Sequence, residues 1–93
     1  MTEIGAPPGN IRQRVLDLLV GVAPNIDAAT LRPDREYREQ FDFDSMDLFH
    51  FAAAVHESFG VDIPEKDYRQ LAALDRCLAY LRERLPASPD SAA

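Results

Sequence analysis

The sequence predicts an all-α protein: a four-helix bundle with a short third helix and a long loop between helices one and two. Three observations carry this prediction. Apolar residues recur at helical spacing in three stretches. No stretch of useful length alternates apolar and polar residues, as a half-buried strand would. Pro24, Gly60 and Pro86 fall where helices must stop. With 93 residues, 46% of them apolar, the chain is long enough for one domain around a single modest core.

The domain proper is expected over residues 10–85. Residues 1–9, with two glycines and Pro7-Pro8, read as a flexible leader, and residues 86–93 as a flexible tail. The first helix spans 10–22, with Asn10 as its N-cap and Ile11, Val15, Leu18, Leu19 and Val22 in one apolar stripe. Residues 24–43 form a connection longer than helical bundles usually need. Ile26, Leu31, Tyr37 and Phe41 are its expected ties to the core, with room for a helical turn within 34–40.

The second helix starts at Asp44 or Ser45 and runs to Phe59, with Gly60 just beyond its end. Asp44 followed three residues later by Asp47 resembles a capping box. Leu48, Phe51, Ala52, Val55 and Phe59 share the inward face, while Met46, Phe49 and Ala53 share another that stays at least partly exposed. An extended link over 61–64 leads to a short third helix over 65–71, with Tyr68 and Leu71 inward. The last helix spans 75–85, with Leu74 at its edge and Leu78, Leu81 and Leu85 inward. Cys77 is expected to face the bundle as a small apolar residue.

Ten basic residues against sixteen acidic ones give a net charge of −6. Residues 42–67 hold the whole imbalance: Asp42, Asp44, Asp47, Glu57, Asp62, Glu65 and Asp67 stand against Lys66 alone. Such a field repels phosphate backbones and steers basic partners, which argues against nucleic-acid binding. The five arginines of residues 1–41 are expected to solvate the surface or to pair with this acidic segment. One cysteine allows no internal disulfide and fits a reducing compartment. No apolar run approaches the roughly 20 residues of a membrane span. The first ten residues lack the regions of a signal peptide, so the chain reads as cytoplasmic.

The chemistry is expected at residues 41–47. Ser45 stands at a predicted helix start, after a long loop, among Asp42, Asp44 and Asp47. Free N–H groups and the dipole at a helix start favour a negative group, so a phosphate ester on Ser45 is well placed there. The flanking carboxylates can attract a metal ion or basic residues of an enzyme that installs the phosphate. Local pattern alone leaves open that Ser45 is an ordinary first-turn serine. A calcium loop is disfavoured, because Asp47 and Ala53 stand where such a loop requires Gly and Glu. A hydrolytic pair is disfavoured too: the chain has no Gly-x-Ser-x-Gly elbow, and helical spacing brings neither His50 nor His56 to Ser45.

From Ile11 to Leu81 the order and spacing of motifs resemble the acyl carrier protein family. Asp44-Ser45-Met46-Asp47 is similar to the family's Asp-Ser-Leu-Asp/Glu, and Phe59-Gly60-Val61-Asp62-Ile63-Pro64 to its downstream Phe-Gly-Ile/Val-x-Ile-Pro. Leu74 and Tyr80-Leu81 lie where the family has apolar positions. The resemblance implies a 4'-phosphopantetheine arm on Ser45, installed from coenzyme A by a magnesium-dependent phosphopantetheinyl transferase with Asp44 beside the metal. It also implies that the chain is not an enzyme and has no catalytic or resident metal site. Acyl groups would ride the arm as thioesters to a loading ligase or transferase and to acyl-processing enzymes of fatty acid, lipid or secondary-metabolite synthesis.

Two departures from the family stand out. Many members have Gly three residues before the serine; here Asp42 stands there, followed by the bulky Phe43, so the approach loop is expected to be stiffer or differently packed. The family's second helix is rich in acids, whereas His50, His56 and Ser58 occupy corresponding surface positions here and only Asp47 and Glu57 are negative. Docking is therefore expected to be more apolar, through Met46, Phe49 and Ala53 beside Asp47, with a dedicated set of partners. A peptidyl or aminoacyl carrier and an unmodified helical adaptor are the alternatives. A monomer is expected, because a carrier must present its arm to several partners in turn.

Overall fold

In the computed structural model, residues 11–85 are described, and they form the expected all-α bundle. The Asn10 cap, the leader and the tail lie outside the described residues. Helix α1 (Ile11–Val22) buries Val15, Leu16 and Leu19, while Ile11, Leu18 and Val22 sit at the edge of the core. Leu16 was not part of the expected stripe; it widens the apolar face by one position.

The long connection is tied down as its apolar residues predict. Ile26, Leu31 and Tyr37 are buried, Phe41 packs against the core, and Tyr37–Gln40 form a single turn, α2. Polar ties complete it. The Gln40 side-chain amide donates to the Arg32 carbonyl at 2.8 Å and the Arg35 carbonyl at 3.0 Å, and Asn25 donates to the Asp42 carbonyl at 3.1 Å. The Tyr37 N–H donates to the Ala72 carbonyl at 2.9 Å, pinning the loop to the far side of the bundle. A loop so fixed satisfies its backbone without belonging to a regular element.

Helix α3 (Ser45–Phe59) is central, with Phe51, Ala52 and Val55 buried, and Gly60 ends it in the left-handed region at φ 69°. The Gly60 N–H donates to the His56 carbonyl at 2.8 Å, and His56 Nδ1 lies 2.8 Å from the Val61 carbonyl, closing the same helix end. At this end α1 grips α3: Arg14 donates to the Ser58 carbonyl at 3.0 Å, its guanidinium 4.2 Å from the Phe59 ring centre.

The short third helix is of the 3-10 type (Glu65–Leu71), and α4 (Leu74–Arg84) closes the bundle. Leu71, Leu74, Cys77, Leu78, Tyr80 and Leu81 are buried, whereas Tyr68 and Leu85 are only partly so. Leu74 opens α4, one residue before the expected start, and is fully buried in the core. The Tyr80 hydroxyl donates to Asp67 at 2.8 Å, tying α4 to the 3-10 helix.

The arginines of residues 1–41 do not pair with the acidic segment among the described residues. Arg35 pairs with Glu39 and Arg38 with Glu36, both inside the loop; only Arg84, from the last helix, reaches an acid of the segment, Asp67.

Candidate functional site

Ser45 occupies the first turn of α3 and is exposed. The turn is fastened by a complete capping box. Asp44, extended at φ −109°, accepts from the Asp47 N–H at 3.0 Å, and Asp47 accepts in return from the Asp44 N–H at 3.1 Å. The first turn is thereby fixed by its own neighbours. Asp44 and Asp47 spend their side chains on the cap, and no cluster of potential metal ligands occurs among the described residues.

Phe43 enters the core beneath this turn. Its ring meets Tyr37 edge-on at 5.2 Å between centres, and Tyr37 in turn meets Phe51 at 5.9 Å. The bulky residue before the cap therefore anchors the approach loop rather than shielding Met46, which is 58% exposed. Aromatic pairs of this kind add about 0.5–1.5 kcal/mol each beyond burial. The Asp42 position stays outside, exposed.

Around α3 from Ser45, Met46, Phe49 and Ala53 emerge on the solvent face as expected, with Phe49 48% exposed. The Phe49 ring leans on Tyr68 of the 3-10 helix at 6.1 Å, which holds it at the surface in a defined place. Asp47 is half-buried beside them.

On its other flank Ser45 borders an open cleft of about 450 Å³, lined also by Glu36, Arg38, Phe43, Asp44, Leu48 and Arg69. Arg38 and Arg69 are among the residues that line this cleft, a feature the sequence reading missed. Arg38 and Arg69 lie 7 positions before and 24 positions after Ser45 in the numbering, and no local spacing links them to it. Glu36 bridges Arg38 at 2.9 Å and Arg76 at 2.7 Å. The hydrogen bond from Arg76 chiefly, and the charge and hydrogen bond of Arg38, hold the Glu36 carboxyl below its usual pKa despite opposing partial burial.

The fold and site define a class: a small helical bundle that offers one exposed serine at a capped helix entrance, between an apolar patch and a cleft lined by arginines and carboxylates. Comparison with known proteins gives the family. The family model described as phosphopantetheine attachment site matches residues 13–81, and the chain belongs to this family of acyl carrier proteins. It is 25% identical over 75 residues to an acyl carrier protein of Solidesulfovibrio magneticus, covering 81% of this chain and 95% of that one. To an acyl carrier protein of Helicobacter pylori it is 29% identical over 59 residues, 63% of this chain and 76% of the other. To the meromycolate extension acyl carrier protein of Mycolicibacterium aurum it is 24% identical over 83 residues, 83% of this chain and 86% of the other.

The family's covalently attached group is 4'-phosphopantetheine. The residues present fit it: an exposed serine at a helix start, bordering an open cleft whose lining includes Arg38 and Arg69, which suit a negatively charged phosphodiester. No helix among the described residues is long and apolar enough to cross a membrane.

Proposed function

We propose that Ser45 is the attachment point of the phosphopantetheine arm and that the protein serves as an acyl carrier for partner enzymes of fatty acid, lipid or secondary-metabolite synthesis. The observation that carries this reading is the exposure of the Ser45 side chain on a helix turn locked by the Asp44–Asp47 box. A transferase needs the serine oxygen accessible and held still. On loading, Ser45 Oγ forms a P–O bond and gives up its proton to the transferase, while the pyrophosphate bond of coenzyme A breaks and its adenosine bisphosphate half leaves. When bound, the group supplies a terminal thiol that holds acyl carbons as electrophilic thioesters.

The chain's own residues then do the work of presentation, and catalysis is left to the partners. Asp44 fixes the turn and adds negative charge where the transferase's magnesium would sit. Met46, Phe49 and Ala53, with Asp47 at their border, form the surface on which partner enzymes dock. The names of the relatives favour acyl over aminoacyl cargo.

The test is co-expression with a phosphopantetheinyl transferase followed by intact mass measurement. The wild type is expected to gain one phosphopantetheine adduct and Ser45→Ala none. An unmodified wild type, or an adduct that survives Ser45→Ala, refutes the proposal. Trapping the thioester from the native cell then identifies the cargo.

A further inference from the structure

The charges around Ser45 are unequally placed. The serine lies in the acidic segment, next to Asp44 and two residues before Asp47, yet the cleft beside it carries Arg38 and Arg69 along with Glu36. A phosphodiester on Oγ bears one negative charge and would be repelled by Asp44 and Asp47 at close range. The capping box engages the Asp47 N–H and the Asp44 N–H and leaves those of Ser45 and Met46 as the backbone donors of the helix entrance. A cationic side chain adds to those two donors where a full counter-charge is needed.

Of the two guanidinium groups in the cleft, Arg38 is committed to Glu36, which Arg76 also holds. Arg69, exposed on the 3-10 helix, has no ion-pair partner among the described residues. Its planar fork suits two oxygens of a phosphate, and a long exposed side chain can meet a group on Oγ across a shared cleft. Phe43 and Leu48 line the same cleft and supply an apolar wall for whatever follows the phosphate.

We propose that Arg69 is a clamp for the phosphodiester of the loaded carrier: it pairs with the phosphate on Ser45 and lays the base of the arm along the cleft between α3 and the 3-10 helix. This rests on the attachment at Ser45 proposed above. Arg38 contributes charge at the cleft wall, and Glu36 is largely neutralised there by its two arginines.

Wild type, Arg69→Gln and Arg69→Lys are loaded with a transferase and coenzyme A, and intact mass confirms the adduct on each. Phosphorus NMR then reads the arm's phosphate, and nitrogen–proton spectra read the Arg69 Nε–H group. In the wild type the Arg69 Nε–H signal is expected to move between apo and holo forms and to return toward the apo position in about 1 M salt, where screening reaches within a few ångströms. The holo phosphorus shift is expected to move toward that of a short phosphopantetheinyl-serine peptide, the same phosphodiester without the fold, in Arg69→Gln and to be partly restored in Arg69→Lys. Backbone amide spectra of the variants establish that the bundle is intact. A holo Arg69→Gln whose phosphorus signal superposes on the wild type overturns the clamp while leaving the attachment at Ser45 standing. Absence of any adduct on the wild type overturns both.

Discussion

Replacing Asp44 separates the mechanical role of the helix cap from its charge. In Asp44→Ala the 3.0 Å bond from the Asp47 N–H disappears, and the reciprocal bond to Asp47 loses the partner that positions it. An N-cap of this type contributes about 0.5–2 kcal/mol, typically about 1. A carboxylate at a helix start adds about 0.3–1 kcal/mol through the dipole. The two together give a loss of about 1–2 kcal/mol, which in a domain of this size lowers the melting temperature by about 5–15 °C. Asparagine caps as well as aspartate does. Asp44→Asn therefore keeps the bond and is expected to lose only the dipole share.

Thermal melts by circular dichroism give the first comparison. The rate of adduct formation with transferase, followed by mass well below either melting temperature, gives the second. Asp44→Ala is expected to melt clearly below wild type and load slowly. Asp44→Asn is expected to melt close to wild type yet still load slowly, because a neutral amide offers no charge to the transferase's metal. An alanine variant that melts with the wild type refutes the box as the fastener of α3. An asparagine variant that loads at the wild-type rate refutes any part of the carboxylate in transfer.

Three further outcomes follow from the core and loop. Among the described residues the buried Tyr37 hydroxyl has no hydrogen-bond partner, and burial raises its pKa; Tyr37→Phe keeps the ring contacts and is expected to be neutral or to stabilise by about 1 kcal/mol, read as an unchanged or raised urea midpoint. Burial pushes the Cys77 thiol up to about 12, so a thiol reagent is expected to leave the apo protein unmodified at neutral pH and to react only on unfolding; rapid native labelling refutes the packing of α4. Glu36, held below its usual 4.5 by Arg76 and then Arg38, stabilises the fold above that value and loses the contribution as pH falls through its lowered pKa. The melting difference between wild type and Glu36→Gln is expected at neutral pH and should shrink in acid; a difference independent of pH removes the ion-pair account.

Much of the fold was legible because its signals are local. Asp44 and Asp47 three apart, Gly60 at the far end and the apolar period between them define α3 without reference to the rest of the chain. The ties of the long loop were legible for a different reason: Ile26, Leu31 and Tyr37 are large apolar residues in an otherwise polar stretch, and burial is their only favourable place. The type of the third helix was not legible. Tyr68 and Leu71 stand three apart, a spacing that an α-helix and a 3-10 helix accommodate equally. The role of Phe43 depends on Tyr37 and Phe51, which meet only in three dimensions. Charge counted by segment likewise missed that the loop arginines find acids two and four residues away.

The site shows the same division, and its geometry explains how one helix start can serve two purposes. At about 100° per residue, Met46, Phe49 and Ala53 lie to one side of Ser45 around α3, and Leu48, at the cleft, lies to the other. Local spacing was enough to find the first side. The second required α2 and the 3-10 helix to bring Glu36, Arg38 and Arg69 to the serine. With the arm attached as proposed, its phosphate can rest against the cleft while the apolar patch stays uncovered. An approaching enzyme would then meet Met46 and Phe49 before it contacts the base of the arm. A carrier with cations on both flanks would hold its arm across the docking surface, and one with acids on both would leave the phosphate without a counter-charge. If the arm and the docking patch lie as proposed, the arginines of the cleft would let the arm rest without covering the face that meets a partner.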